Sequence, residues 1–173
     1  DLWFFSATDT AQLPSISPQI IDTPQKLTQL VEQLKQHTNP QTPVSWDTET
    51  TSLSPRDAQL VGIGCCWAKD ESSIAYIPIG HTSGSNLPLA TVLETLKPIL
   101  ESTTYPKALQ NAKSDRLILK FQGIELAGVV FDTMLASYVL NPENSHNLGE
   151  LSQHYLNITA QSYTQLVPKG KTI

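Results

Sequence analysis

Val44-Ser45-Trp46-Asp47-Thr48-Glu49-Thr50 is the stretch whose reading decides the fold of this chain. Its start has the residue types of a strand, and strand side chains alternate between two faces. Asp47 and Glu49, two positions apart, therefore project together as carboxylates close enough to repel. Such a pair is costly at the edge of a core unless a positive charge lies between its members. A hard divalent cation, Mg²⁺ or Mn²⁺, prefers oxygen ligands and resolves the conflict. By itself the pattern also fits two solvated acids in a loop after a strand. It carries chemistry only when a further carboxylate arrives from elsewhere in the fold.

That carboxylate stands in Asn111-Ala112-Lys113-Ser114-Asp115, at the start of a helical pattern that follows the short strand-like run Lys107 to Gln110. If this strand lies parallel to the first, the helix opens at the end of the sheet that carries Asp47 and Glu49. An acid in a first helical turn is also favoured by the helix dipole. Three oxygen donors without a lysine or arginine on the strand suit a metal site. The plain alternative for Asp115 is a surface acid that does no more than complement the dipole.

The surrounding elements follow from periodicity. Thr23 has the form of a helix N-cap and Pro24 of a first helical residue, with Leu27, Leu30, Val31 and Leu34 at amphipathic spacing up to Asn39-Pro40. Val44 to Thr48, Gln59 to Ala68 and Ser73 to Ile79 read as three strands, and their short connections favour antiparallel neighbours. A helix is expected from about Pro88 to Glu101, with Pro98 kinking or ending it. Then come the Lys107 strand, a helix over Ala112 to Gln122 capped by Asn111, and a strand over Gly128 to Phe131. A helix over Thr133 to Leu140 follows, and Asn147-x-x-Glu150 opens a last one as a capping box. A meander followed by alternating strand and helix predicts a mixed α/β sheet of five strands with helices on its faces.

The 173 residues suit one domain, and the charge of −5 (pI 5.2) argues against a protein that grips nucleic acid by a basic surface. It leaves room for an enzyme that meets phosphates locally through bound metal. No apolar run approaches membrane-spanning length. Cys65 and Cys66 are adjacent inside a strand pattern, which is no disulfide framework and fits a reducing, intracellular setting. Residues 1–22, with an apolar patch at Leu2, Trp3, Phe4 and Phe5, read as a linker plus an edge contact. Residues 23–173 read as the domain proper, and both ends have the look of cuts from something longer.

Trp46-Asp47-Thr48-Glu49-Thr50 resembles the first motif of the DEDD exonuclease superfamily, named for its four acids, and Asn111-Ala112-Lys113-Ser114-Asp115 resembles the second. Phe131-Asp132-Thr133-Met134-Leu135-Ala136-Ser137-Tyr138-Val139-Leu140 is similar to the segment that follows in the proofreading domains of bacterial family A DNA polymerases. The resemblance runs from about Ile20 to Ile173 and takes in Leu60-Val61-Gly62, Ala75-Tyr76-Ile77-Pro78 and Leu96-Lys97-Pro98. It implies a ribonuclease H-like fold and two-metal hydrolysis of a DNA 3′-terminal phosphodiester, with Asp47, Glu49 and Asp115 as catalytic acids holding Mg²⁺ or Mn²⁺. It further implies that Leu53 presses on the terminal base, while Thr48, Thr50, Asn111 and Ser114 line the substrate. On the residues alone, Leu53 also reads as a core leucine, Thr50 as a turn threonine and Asn111 as a helix cap. The implied partners are a single-stranded DNA 3′ end and a polymerase domain of the same parent chain. The implied location is cytoplasmic, at the nucleoid.

Two departures from the family pattern stand out. Ser114 occupies a position where an aromatic usually precedes the acid. The third motif, a Tyr or His followed by the fourth acid, is absent, and no acid follows Glu150. The fragment is therefore expected to be weak or inactive alone. Asp132 reads as the N-cap of the Thr133 helix and not as a substitute ligand. Gly62-Ile63-Gly64 reads as strand packing, and Lys113, Arg116 and Lys120 as a solvated face. The rival readings are a stand-alone exonuclease of ribonuclease D or Werner type, and a non-catalytic module that binds nucleic acid or acts as a scaffold.

Overall fold

The computed structural model describes residues 17–159, so the Leu2 to Phe5 patch and the residues from 160 onward lie outside the described part. In order, the elements are β1 (Gln19–Ile20), α1 (Pro24–Leu34), β2 (Val44–Thr50), β3 (Leu60–Cys66) and β4 (Ile74–Pro78). After these come α2 (Leu89–Leu100), β5 (Lys107–Leu109), α3 (Ala112–Phe121), β6 (Val129–Asp132), α4 (Thr133–Leu140) and α5 (Leu148–Leu156).

The first helix forms as its pattern predicts. The Thr23 hydroxyl oxygen accepts the Lys26 N–H at 3.3 Å, and Leu27, Leu30, Val31 and Leu34 are all buried. Burying each of these contributes roughly 1.5–3 kcal/mol. α2 runs past Pro98 to Leu100. Pro98 and Glu94, whose carbonyl the proline leaves without an N–H partner, both lie on the exposed side, where water replaces the lost bond. Asn147 accepts the Glu150 N–H at 2.9 Å and opens α5 as expected.

The sheet order is β1-β4-β3-β2-β5-β6, with β2, β3 and β4 antiparallel and the pairs β1–β4, β2–β5 and β5–β6 parallel. It has six strands where the sequence predicts five. The sixth is β1, in which Gln19 and Ile20 pair with Ala75 and Tyr76. Two residues are too few to show a period.

Register divides the meander into two faces. Trp46, Cys65 and Ala75 lie in one cross-strand row and Thr48, Ile63 and Ile77 in the next. Apart from Thr48 these are buried, and they join α1 and α2 residues in the main core. The opposite face carries the row Asp47, Gly64 and Tyr76 and the row Glu49, Gly62 and Pro78. β5 enters the sheet through Lys107, which is fully buried. Its ammonium donates to the carbonyls of Ser102 (3.0 Å) and Tyr105 (2.6 Å), and burial pushes its pKa down to about 8.

Candidate active site

Three segments meet beyond the point where β5 stops pairing with β2. The last β2–β5 pair is Ser45 with Ala108, so β2 runs on past its neighbour and the Thr48 N–H finds no strand partner on that side. Asp115, in the first turn of α3, fills the gap. Its Oδ1 accepts the Thr48 N–H at 3.2 Å and the Thr48 hydroxyl at 2.7 Å. The parallel pairing of β2 with β5, the condition on which the sequence reading of Asp115 depended, thus brings Asp115 to the acid end of β2.

Asp115 is only 5% exposed, and its pKa is pushed up to about 6. Burial is the main cause and the negative charge of Asp47 adds to it, while the Thr48 hydroxyl opposes the shift. Burial likewise raises the carboxyls of Asp47 and Glu49, although Asp47 as a residue keeps solvent contact. The charge of Asp47 raises Glu49 further. Three carboxyls that feel one another at a partly desolvated edge form a donor set of hard oxygens, the chemistry that a divalent cation relieves. Among the described residues, no three His, Cys, Asp or Glu side chains already form a cage for a metal ion.

The other candidate residues are placed as follows. Thr50 closes β2 at a bulge and donates its hydroxyl to the Ser52 carbonyl at 3.0 Å, as a turn threonine does. Leu53 is fully exposed on the loop after it, which rules out the core reading of this leucine. Asn111 occupies the cap position of α3 with a left-handed backbone (φ 59°, ψ 53°), but its side chain makes no capping bond. Ser114 lies in the first turn of α3, half-buried, with its N–H on the Asn111 carbonyl at 2.9 Å. Lys113, Arg116 and Lys120 are exposed, as expected of a solvated face.

Sequence reasoning missed Tyr76 and the reason for two glycines. Gly64 and Gly62 stand directly across from Asp47 and Glu49. A methyl at Gly64 would meet nothing within 4 Å, whereas one at Gly62 would lie 1.9 Å from Tyr76 Oη. The Tyr76 ring therefore lies over Gly62, and its hydroxyl is 2.7 Å from His81 Nε2. Burial raises the Tyr76 hydroxyl, and the charges of Glu49 and Asp47 raise it further. The strand-packing reading of these glycines describes Gly62 well. The open space at Gly64 becomes visible only once the β2–β3 register is known.

Comparison with solved structures finds the same ribonuclease H-like fold in other proteins. Escherichia coli RNase D, an exoribonuclease, superposes with a TM-score of 0.64 over 88% of this chain and 36% of its own, at 18% identity. The POL domain of Pol1 from M. smegmatis, solved with DNA primer-template and dNTP, gives 0.63 over 80% of this chain and 22% of its own, at 24% identity. A family profile described as 3′–5′ exonuclease matches residues 18–172. DNA polymerase I of Synechocystis sp. is 53% identical over 167 residues, which is 95% of this chain and 17% of that protein. The chain belongs to the family of 3′–5′ exonuclease domains of DNA polymerase I. It spans about one sixth of that relative's length.

Proposed function

We propose that this chain is the proofreading exonuclease part of a longer polymerase, which removes nucleotides from DNA 3′ ends using two divalent cations. The observation that carries this reading is the meeting of Asp47, Glu49 and Asp115 at the end of β2, each with a carboxyl raised by burial. Asp47 and Glu49, on one face of the strand, and Asp115, whose Oδ1 accepts from Thr48, would hold the cations. Glu49 would also orient the attacking water, and no protein nucleophile is needed. Bound Mg²⁺ or Mn²⁺ supplies a water of lowered pKa and neutralises charge on the phosphoryl oxygens. Leu53, exposed on its loop, presses on the terminal base, and Thr48, Thr50, Asn111 and Ser114 line the last nucleotides.

The substrate is a single-stranded DNA 3′ end handed over by a polymerase domain of the same parent chain, in the cytoplasm at the nucleoid. The likeness to RNase D concerns the fold alone, and the 53% identity to a DNA polymerase favours DNA. Among the described residues no helix is long and apolar enough to cross a membrane. With no acid after Glu150 to complete the set of four, the chain is weak or inactive alone.

The test is degradation of a 5′-labelled single-stranded oligonucleotide with Mg²⁺ and then Mn²⁺, beside an Asp47→Ala control. Metal binding by calorimetry without a 3′-end ladder is the expected result, that of a formed but incomplete site. A ladder that vanishes in the control shows that three acids suffice. A ladder that persists in Asp47→Ala, or no metal binding at all, overturns the assignment.

A further inference from the structure

Asp132 ends β6 as the expected N-cap of α4, and its carboxylate reaches further than that helix. Oδ1 accepts the N–H groups of Met134 (2.9 Å) and Leu135 (3.2 Å) in α4. The same oxygen accepts the Asn111 N–H at 3.2 Å, and Oδ2 accepts the Ala112 N–H at 2.8 Å. One carboxylate thus satisfies orphan donors at the starts of two helices. The β5–β6 register, with Leu109 beside Asp132, delivers it to that point.

The start of α3 needs such an anchor. Asn111 holds a left-handed backbone that a non-glycine residue adopts at a cost, and its own side chain does not cap the helix. The flanking Gln110 is braced from the same direction: its Nε2 donates to the His146 carbonyl at 2.8 Å, and its Oε1 accepts the Thr133 hydroxyl. One turn further on, Asp115 makes its two bonds to Thr48.

We propose that Asp132 is a positioning residue of the active site. Its carboxylate locks the left-handed entry to α3 and so directs Asp115 onto Thr48. The consequence for metal binding rests on the metal-holding reading of the acids given above.

Asp132→Asn separates this role from ordinary capping. An amide oxygen in the Oδ1 position keeps the bonds from Met134, Leu135 and Asn111, while the amide nitrogen opposes the Ala112 N–H, donor against donor. Hydrogen exchange on the whole chain without metal is expected to show Thr48 N–H protection falling by roughly tenfold. The N–H groups of Val44, bonded to Pro106, and Ile79, bonded to Val61, are expected to stay protected. Adding Asn111→Gly restores Thr48 protection, because glycine takes the left-handed conformation without strain. Mn²⁺ affinity falls roughly 10- to 100-fold in Asp132→Asn, the size of effect seen when a group that orients a ligand is removed.

Unchanged Thr48 protection in Asp132→Asn overturns the proposal. So does a parallel loss at Thr48, Val44 and Ile79 that Asn111→Gly leaves in place, since Asp132 then serves only the stability of the fold. Failure of the unsubstituted chain to bind Mn²⁺ overturns the metal reading instead, and the amide comparison still decides the positioning.

Discussion

The two faces of the β2–β3–β4 meander are built from alternate residues of the same three strands and serve opposite ends. One face presents Trp46, Ile63, Cys65, Ala75 and Ile77 to α1 and α2, sealed from water. The other presents Asp47 and Glu49 beside Gly62 and Gly64, with Tyr76 leaning over Gly62. The sealed face stabilises the domain. The open face costs stability, because it gathers carboxyls where burial disfavours their charge and removes side chains beside them. The proposed site thus lies on the back of the core, one residue out of phase with it.

Truncation on the sealed face is expected to have the largest effect on stability. Ile63 is 1% exposed, and Ile63→Ala should lower the unfolding free energy by about 2–5 kcal/mol in urea titration without shifting metal affinity. A loss below about 1 kcal/mol would show that the two faces differ less than their burial implies.

Next in size is Gly62→Ala, which drives a methyl into the Tyr76 hydroxyl and is expected to cost about 1–3 kcal/mol. A double-mutant cycle with Tyr76→Ala should recover most of that cost. Additive losses would mean that the glycine is needed for some other reason.

Asp115→Asn is expected to act in the other direction. The folded-state pKa of about 6 lies above the unfolded value of 3.8, so the folded chain binds this proton more tightly. Stability is then greatest below the unfolded pKa and declines as pH rises from about 4 through about 6. The substitution should flatten that decline and stabilise the metal-free chain at pH 7 by about 1–3 kcal/mol. Mn²⁺ should raise the Tm of the unsubstituted chain and leave that of Asp115→Asn nearly unchanged. An identical pH profile for both chains would break the account of the open face as a destabilised one.

The smallest effect belongs to Gly64→Ala. Its methyl meets nothing, so stability should change by no more than about 1 kcal/mol, while the Kd for single-stranded DNA rises if the space beside Asp47 receives substrate. An unchanged Kd would move the substrate path away from β3.

Much of this was legible in the chain because it is local. Thr23-Pro24 and the four buried residues of α1, the meander, and the Asn147–Glu150 cap depend on neighbours one to seven positions apart. Asp47 and Glu49 on one face follow from alternation alone. The sixth strand was not legible, because Gln19 and Ile20 become a strand only when Ala75 and Tyr76 are beside them. Pro98 misleads for a related reason: its usual cost is small where the helix side faces water. Lys107 carries no local sign of being buried, since two carbonyls brought around by the turn before it supply its partners.

By itself, then, the sequence determined the periods: which residues share a face, where helices open, and that three acids stand at strand and helix ends. Only the tertiary structure decided that Asp115 bonds to Thr48, that glycines stand across from the acids, and that Asp132 joins two helix starts. Those facts depend on register and on pairings between residues 13 to 67 positions apart, such as Glu49 with Gly62 and Thr48 with Asp115. Alternation and capping are properties of a few consecutive residues. Register is chosen by the whole core at once, because a slip of one position would turn the sealed face to water.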